Sequence, residues 1–352
     1  MSRTRIAIAC DAGPLRGIGH VMRCVALAEE LSARGVEVTF VTDLSGVAWA
    51  AEQVRRRGFP VRHHDDGAPG LAAAVLGSRP DGVVLDSYAT PAEVSADLRA
   101  TGVPVLAIVD GDTRGHTADL YLDQNLGAED EAWPHAAPRL AGLRYVLLRD
   151  EVRDRRPTRP RVDTAVATPS VLAHFGGTDP ARAAAVLSRA LAATGEPFRA
   201  TVVAATPGLA AEVAAVPLAS GQMVDVTGPV GDLAARAAAA DLVVCASGTS
   251  VWEMMCVGAA TAVTWVADNQ ILGYGRTVAT GAAAGLGAVG EIATAPGHAV
   301  SRLSALLRDP GERAVLRATG WSLVDGDGRR LVADAVEALV ARRPGGHPLG
   351  VR

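Results

Sequence analysis

The chain has 352 residues, of which 49% are hydrophobic, with a formal net charge of −4 and a pI near 6.1. That length exceeds the size at which single cores stop growing, about 250–300 residues, so two domains are expected. The charge balance excludes a general attraction to nucleic acid. There is no signal-peptide apolar core and no apolar run of about 18 residues, which predicts a cytoplasmic protein without stable membrane insertion. Cys10, Cys24, Cys245 and Cys256 form no C-x-x-C pair and sit among apolar neighbours, the pattern of buried reduced thiols.

Arg5–Cys10 is a short apolar run and the expected first strand. A Gly-rich turn follows, and Val21, Cys24, Val25, Ala28 and Leu31 then recur at helical spacing across Val21–Ala33. Gly35 is placed to stop that helix, and Val36–Thr42 reads as the second strand. The pattern continues with a helix over Val47–Arg57, a short strand at Pro60–Arg62 and a helix over Gly70–Leu76. Val83–Leu85 is a buried strand ending in Asp86-Ser87-Tyr88. Pro91 opens the next helix at its favoured first position, and Val103–Val109 is a strand ending in Asp110-Gly111-Asp112.

The Pro- and Arg-rich stretch Arg153–Pro169 breaks the alternation and reads as an interdomain linker. A second series begins with strand Val171–Phe175, which ends in Gly176-Gly177-Thr178-Asp179, and a helix from Pro180. Strands at Arg199–Ala204, Met223–Val226, Leu242–Ala246 and Thr261–Val266 alternate with helices from Pro207 and over Asp232–Ala239, Thr249–Val257 and Asn269–Thr280. Two or three helices finish the chain, the last near Arg329–Ala341, before a Pro/Gly-rich tail. This repetition predicts an α/β fold of two Rossmann-like, doubly wound parallel-sheet domains facing a cleft. The domains are expected over 1–152 and 170–325, with the linker at 153–169 and a C-terminal helix and tail at 326–352.

Two small-residue turns stand between an apolar run and a helical pattern, the layout that turns backbone N–H groups and a helix start toward a phosphate. The first is Gly17-Ile18-Gly19-His20-Val21-Met22-Arg23. The second is Ser247-Gly248-Thr249-Ser250-Val251-Trp252-Glu253, answered by Ala267-Asp268-Asn269-Gln270. One in each half suggests a nucleotide-bearing ligand held between two α/β domains. His20 falls at the carboxyl end of the first strand, where it suits a general base or acid, with a packing or capping histidine as the plainer alternative. Arg23 follows one turn later. A nicotinamide site is disfavoured because Met22 occupies the third fingerprint position, although Asp43 is suitably spaced for a ribose. No P-loop pattern exists. Glu253 lies three residues after Ser250, the spacing of a capping box, or else accepts hydrogen bonds from a ribose diol.

At these residues the chain resembles the PseG/SpsG family of nucleotide-sugar hydrolases, relatives of the MurG-like glycosyltransferases with the GT-B fold. The family's type activity is UDP-2,4-diacetamido-2,4,6-trideoxy-β-L-altropyranose hydrolase, a step of pseudaminic acid biosynthesis. Matching signatures run in family order over about residues 5–280. They are Gly17-Ile18-Gly19-His20 with Arg23, Asp86-Ser87-Tyr88, Asp123-Gln124-Asn125, Leu147-Leu148-Arg149-Asp150-Glu151, Gly176-Gly177-Thr178-Asp179-Pro180, Ser247–Glu253 and Ala267-Asp268-Asn269-Gln270. The resemblance implies a GT-B-like fold in which His20 activates water against a UDP-sugar, with Tyr88 and Asn269 lining the sugar site. It assigns Gly248, Thr249, Ser250 and Glu253 to the phosphates and ribose, and it marks Gly17, Gly19, Arg23, Gly177, Ser247 and Gln270 as further substrate-binding positions. No cofactor and no metal is implied; Asp110-Gly111-Asp112 looks like a D-x-D element, but the GT-B class does not need one. Two alternatives stand beside hydrolysis: transfer from the same donor to an alcohol acceptor, and nucleotide-sugar binding without turnover. Arg55-Arg56-Arg57-Gly58-Phe59 is a small candidate membrane patch for the transferase reading, against the plainer reading of a solvated helix end.

Overall fold

A computed structural model describes residues 3–13, 17–64 and 68–342. The chain divides into two compact units, one made of residues up to Asp150 together with those from Gly326, the other of Glu151–Asp325. In unit 1 the strands are β1 (Arg5–Cys10), β2 (Glu37–Val41), β3 (Val61–Arg62), β4 (Gly82–Asp86), β5 (Val105–Ile108), β6 (Leu120–Asp123) and β7 (Arg139–Ala141). Helices α1 (Gly19–Ala33), α2 (Ala48–Arg56), α3 (Ala68–Gly77) and α4 (Ala92–Ala100) connect the first five; α5 (Asp150–Arg153) follows β7 and carries the chain from unit 1 into unit 2. All seven strands are parallel, in the order β3-β2-β1-β4-β5-β6-β7.

Unit 2 carries β8 (Ser170–His174), α6 (Ala183–Ala193), β9 (Phe198–Val203), α7 (Pro207–Ala214), β10 (Gln222–Thr227), α8 (Leu233–Ala239), β11 (Leu242–Ala246) and α9 (Ser250–Cys256). It continues with β12 (Thr261–Trp265), α10 (Ile271–Ala279), β13 (Ala284–Ala288), α11 (Val289–Thr294), α12 (Gly297–Arg308) and α13 (Pro310–Leu323). Its six strands are also all parallel, in the order β10-β9-β8-β11-β12-β13. Helix α14 (Gly328–Ala341) then returns to unit 1. These are two Rossmann-like, doubly wound units, as the alternating pattern predicts. No helix among the described residues is long and apolar enough to cross a membrane.

Strands buried on both faces read as continuous apolar runs, and β1 shows why. Ile6, Ile8 and Cys10 pack with α1, α2 and α14, while Ala7 and Ala9 pack with α3 and α4. In α14, Val332, Ala333, Val336 and Val340 join the first of these cores. The first residue of α14, Gly328, packs directly on the Tyr145–Val146 backbone, where a Cβ would come within 2.5 Å of the Val146 nitrogen, so only glycine fits. Arg329 fixes the same end through ion pairs to Glu29, Glu30 and Asp150.

Several boundaries differ from the expected ones. β6, β7 and β13 are additional strands: the first two have only four and three residues, and β13 is the glycine-bearing segment AGLGA, low in β-propensity and held by pairing with β12. Four helices rather than two or three follow β13. Pro91 is the residue before α4 rather than its first, and α6 starts at Ala183, not Pro180, because Asp179 and Arg182 are left-handed (φ 41° and 56°). Residues 154–169 lie in unit 2, where buried Asp163 pairs with the fully buried Arg317 at 3.0 Å. The Pro/Gly-rich tail lies outside the described residues.

Candidate active site

The strand order of unit 1 reverses between β1 and β4, the topological switch point at whose carboxyl ends open α/β sheets bind ligands. Gly17, left-handed at φ 80°, turns the chain from β1 into α1, a turn an L-residue makes only with strain. Gly19 is the first residue of α1, and its N-terminus has no side-chain cap. His20 therefore stands on the first turn beside the end of β4. Its Nδ1 lies 2.7 Å from Asp86 Oδ1, and its ring meets Tyr88 edge-on with centroids 4.5 Å apart.

Arg23, one turn on, is almost fully buried and bridges two carboxylates. It donates from Nε to Asp86 at 2.6 Å and from Nη1 to Asp110 at 3.0 Å, with a second bond to each from Nη2. The Tyr88 hydroxyl donates a short bond to Asp110, which also accepts from Asn125 Nδ2 at 2.8 Å. Burial alone would push the Asp86 and Asp110 carboxyls up, but the Arg23 guanidinium holds both below the usual carboxylate range. Burial would lower the His20 pKa, yet the Asp86 carboxylate more than restores it and leaves the imidazole raised above 6.5. Burial first and then Asp110 push the Tyr88 phenol up, so it remains a hydrogen-bond donor at neutral pH. The cluster is a histidine with a fixed tautomer, backed by a carboxylate whose charge is already compensated.

The remaining matched motifs of unit 1 brace this cluster. Asp11, the residue after β1, accepts from Ser87 Oγ at 2.6 Å and from the Tyr88 and Ala89 amides, fixing the loop that carries Tyr88. Asp123 accepts from the Gly111 amide at 2.9 Å and from Asn125, and Gln124 Oε1 accepts from the Leu147 amide at 3.0 Å. The sequence motifs that contain Asp86 and Asp110 assign neither of them a role at His20. The signal that marks them is an aspartate at the end of, or just after, four successive sheet neighbours, β1, β4, β5 and β6: Asp11, Asp86, Asp110 and Asp123. Among the described residues no group of three His, Cys, Asp or Glu is placed to hold a metal ion. Asp112, the second acid of the D-x-D element, accepts from the Arg114 amide of its own turn.

In unit 2 the order reverses between β8 and β11, so Gly177, after β8, and the Ser247–Ser250 turn, after β11, flank a second switch point. The Ser247 amide bonds to Thr264 O at 2.8 Å, anchoring the turn to β12. Gln270 bonds through Oε1 to the Val266 amide at 3.0 Å and lies over Gly248, whose Cβ, if present, would sit 3.6 Å from Gln270 Nε2. Two segments some twenty residues apart in sequence thus form one surface. Asn269 is exposed in the short 3-10 turn Asp268–Gln270 beside it. The capping-box alternative for Glu253 does not hold: Ser250 is the first helical residue, Thr249 precedes it in helical conformation, and neither caps α9. A box needs an extended N-cap residue, which this tight turn does not provide. Asp179 takes the amides of Ala183 and Ala184 at 2.8 and 2.9 Å, so the start of α6 is already satisfied by the chain itself.

No family model matches the chain, and no curated protein does. Solved structures match along nearly its whole length. MurG of Acinetobacter baumannii is 17% identical with a TM-score of 0.68, over 96% of this chain and 100% of that one. The spinosyn rhamnosyltransferase SpnG is 17% identical with a TM-score of 0.62, over 94% and 100%. A putative UDP-N-acetylglucosamine 2-epimerase from Listeria monocytogenes is 12% identical with a TM-score of 0.62, over 99% and 100%. At such identities the likeness concerns the fold, which is that of the GT-B glycosyltransferases and their structural relatives.

Proposed function

We propose that the chain is a nucleotide-sugar-dependent glycosyltransferase in which His20 takes the proton of the attacking hydroxyl. The observation that carries this reading is the 2.7 Å contact between His20 Nδ1 and Asp86 at the carboxyl ends of β1 and β4. With Nδ1–H donated to the carboxylate, Nε2 of the neutral ring is left as the base, and Asp86 stabilises the imidazolium that forms. The nucleophilic oxygen bonds to the anomeric carbon as its proton passes to Nε2. The bond from that carbon to the phosphate oxygen breaks, and the nucleoside diphosphate leaves with the electron pair.

In this reading unit 2 holds the nucleotide. The hydroxyls of Ser247, Thr249 and Ser250 and the amides of Gly248, Thr249 and Ser250 suit the charge that grows on the leaving diphosphate, Glu253 suits the ribose diol, and Gln270 lies against Gly248. Tyr88, beside His20, and Asn269 are assigned to the sugar. The fold is shared with SpnG, a spinosyn rhamnosyltransferase by name, which supports the transfer reading. A second reading, hydrolysis with water as nucleophile, is favoured by the motif-level resemblance to the PseG/SpsG hydrolases, and it uses the same base. The deciding experiment is a thermal-shift screen against UDP-, GDP-, CMP- and dTDP-sugars, followed by product analysis. Nucleotide release only with an added alcohol acceptor is the expected outcome. Free sugar without acceptor establishes hydrolysis, and tight binding without release under either condition rejects both.

A further inference from the structure

Arg114 stands at the edge of the His20 cluster, and among the described residues its side chain contacts only the Tyr88 ring. Its guanidinium lies over the Tyr88 ring, Cζ 4.0 Å from the centroid, on the tyrosine that His20 also touches. It is exposed, and among the described residues it makes no side-chain hydrogen bond or ion pair. The carboxylates of the His20 cluster itself are taken. Asp86 is held by His20 and Arg23, Asp110 by Arg23, Tyr88 and Asn125, and Asp11 by Ser87 and two amides. Asp112 accepts the backbone amide of Arg114 itself at 2.9 Å.

The backbone at Arg114 is left-handed, φ 51°, a conformation costly for a long side chain and one that clusters at ligand clamps. Gly111 and Gly115 share that hand at φ 80° and 78°, so the loop is turned sharply around this residue. The contact with the Tyr88 ring face holds the guanidinium in place, and among the described residues its N–H groups have no partner. Such an edge fits two oxygens of one anionic group.

We propose that Arg114 is a substrate-binding residue that recognises an anionic group, carboxylate or phosphate, on the compound bound beside His20. This assignment rests on the glycosyl-transfer reading, and it makes the preferred sugar or acceptor an acidic one. The same anionic chemistry has a second source, the diphosphate of the donor.

Titration calorimetry on the full chain separates the sources, with three probes: D-glucuronate, its neutral methyl ester, and UDP. The variants are Arg114→Met and Arg114→Gly; the glycine relieves the left-handed backbone, so a loss there is not a loss of folding. The wild type is expected to bind glucuronate at least about tenfold more tightly than the ester, the share of one charge-assisted contact. Both variants lose that preference and keep their affinity for UDP. If both variants instead lose UDP affinity about tenfold and glucuronate shows no preference, Arg114 reads the donor diphosphate. Equal binding of acid and ester by the wild type, with UDP unchanged in both variants, overturns the assignment. If UDP fails to bind the wild type, the nucleotide-sugar reading fails, and the acid-to-ester ratio still decides the role of Arg114.

Discussion

His20 owes its basicity to a contest between burial, which lowers its pKa, and the Asp86 carboxylate, which raises it further. A base must be unprotonated, so kcat/KM is expected to rise with pH through an inflection above 6.5 and then level off. Asp86→Asn removes the carboxylate's charge, and its pH–rate profile should inflect at lower pH with a lower plateau; an unmoved inflection would detach Asp86 from His20. His20→Ala should lower turnover by roughly 10²–10⁴-fold and leave nucleotide affinity nearly intact, as single-turnover assays and titration can check. Arg23 belongs to a different class of residue. Arg23→Met strands the buried Asp86 carboxylate, and the partly exposed Asp110 one, and is expected to cost about 3–5 kcal/mol in denaturant unfolding. His20 and Tyr88 were legible because their types and spacing are specific to the motifs; Arg23 was expected to bind substrate, whereas its guanidinium is buried between Asp86 and Asp110. Asp86 and Asp110 were not legible, because their work lies in contacts more than sixty residues away in sequence, which only the strand order brings together.

At the scale of elements, the strands with continuous apolar runs were readable, and those supported mainly by their neighbours were not. β11 matches its expected bounds because Leu242–Ala246 is apolar throughout, whereas β13 has two glycines in five residues and exists by pairing with β12. The turn from β11 into α9 was readable as a turn, but not the start of its helix, on which the role of Glu253 depends. Glu253→Ala should weaken UDP binding while shifting the ligand-free melting temperature only slightly; a large ligand-free shift would make its role structural. His174, on β8, is buried with no partner for Nε2 among the described residues, and burial pushes its pKa down to about 4. The unfolded chain then binds the extra proton between about pH 6.5 and 4, so stability is lost as pH falls through that window. The loss is on the order of 3 kcal/mol at about 1.4 kcal/mol per pH unit. His174→Leu should flatten the stability–pH curve there, as urea unfolding at several pH values can test.

For the molecule as a whole, the all-parallel alternation was legible, but the return of α14 to unit 1 was not, since a helical pattern does not state which core it will join. Val332, Val336 and Val340 place their side chains in the core beside β1, each contributing about 1.5–3 kcal/mol of burial, against a whole-domain stability of about 5–15 kcal/mol. Truncation after Asp325 should therefore abolish cooperative melting of unit 1 while unit 2 keeps its own transition and its nucleotide affinity, as calorimetric scans with and without UDP would reveal. The return of α14 also orders events at the ribosome. Synthesis usually lets an N-terminal domain fold first. Here unit 2 lies between the two parts of unit 1, so all of its residues emerge before the helix that closes the β1 core. Unit 1 must wait through that interval with an apolar face uncovered, at a translation rate of about 5–20 residues per second. During those seconds the nascent chain offers chaperones a hydrophobic surface that the finished protein hides beneath α14.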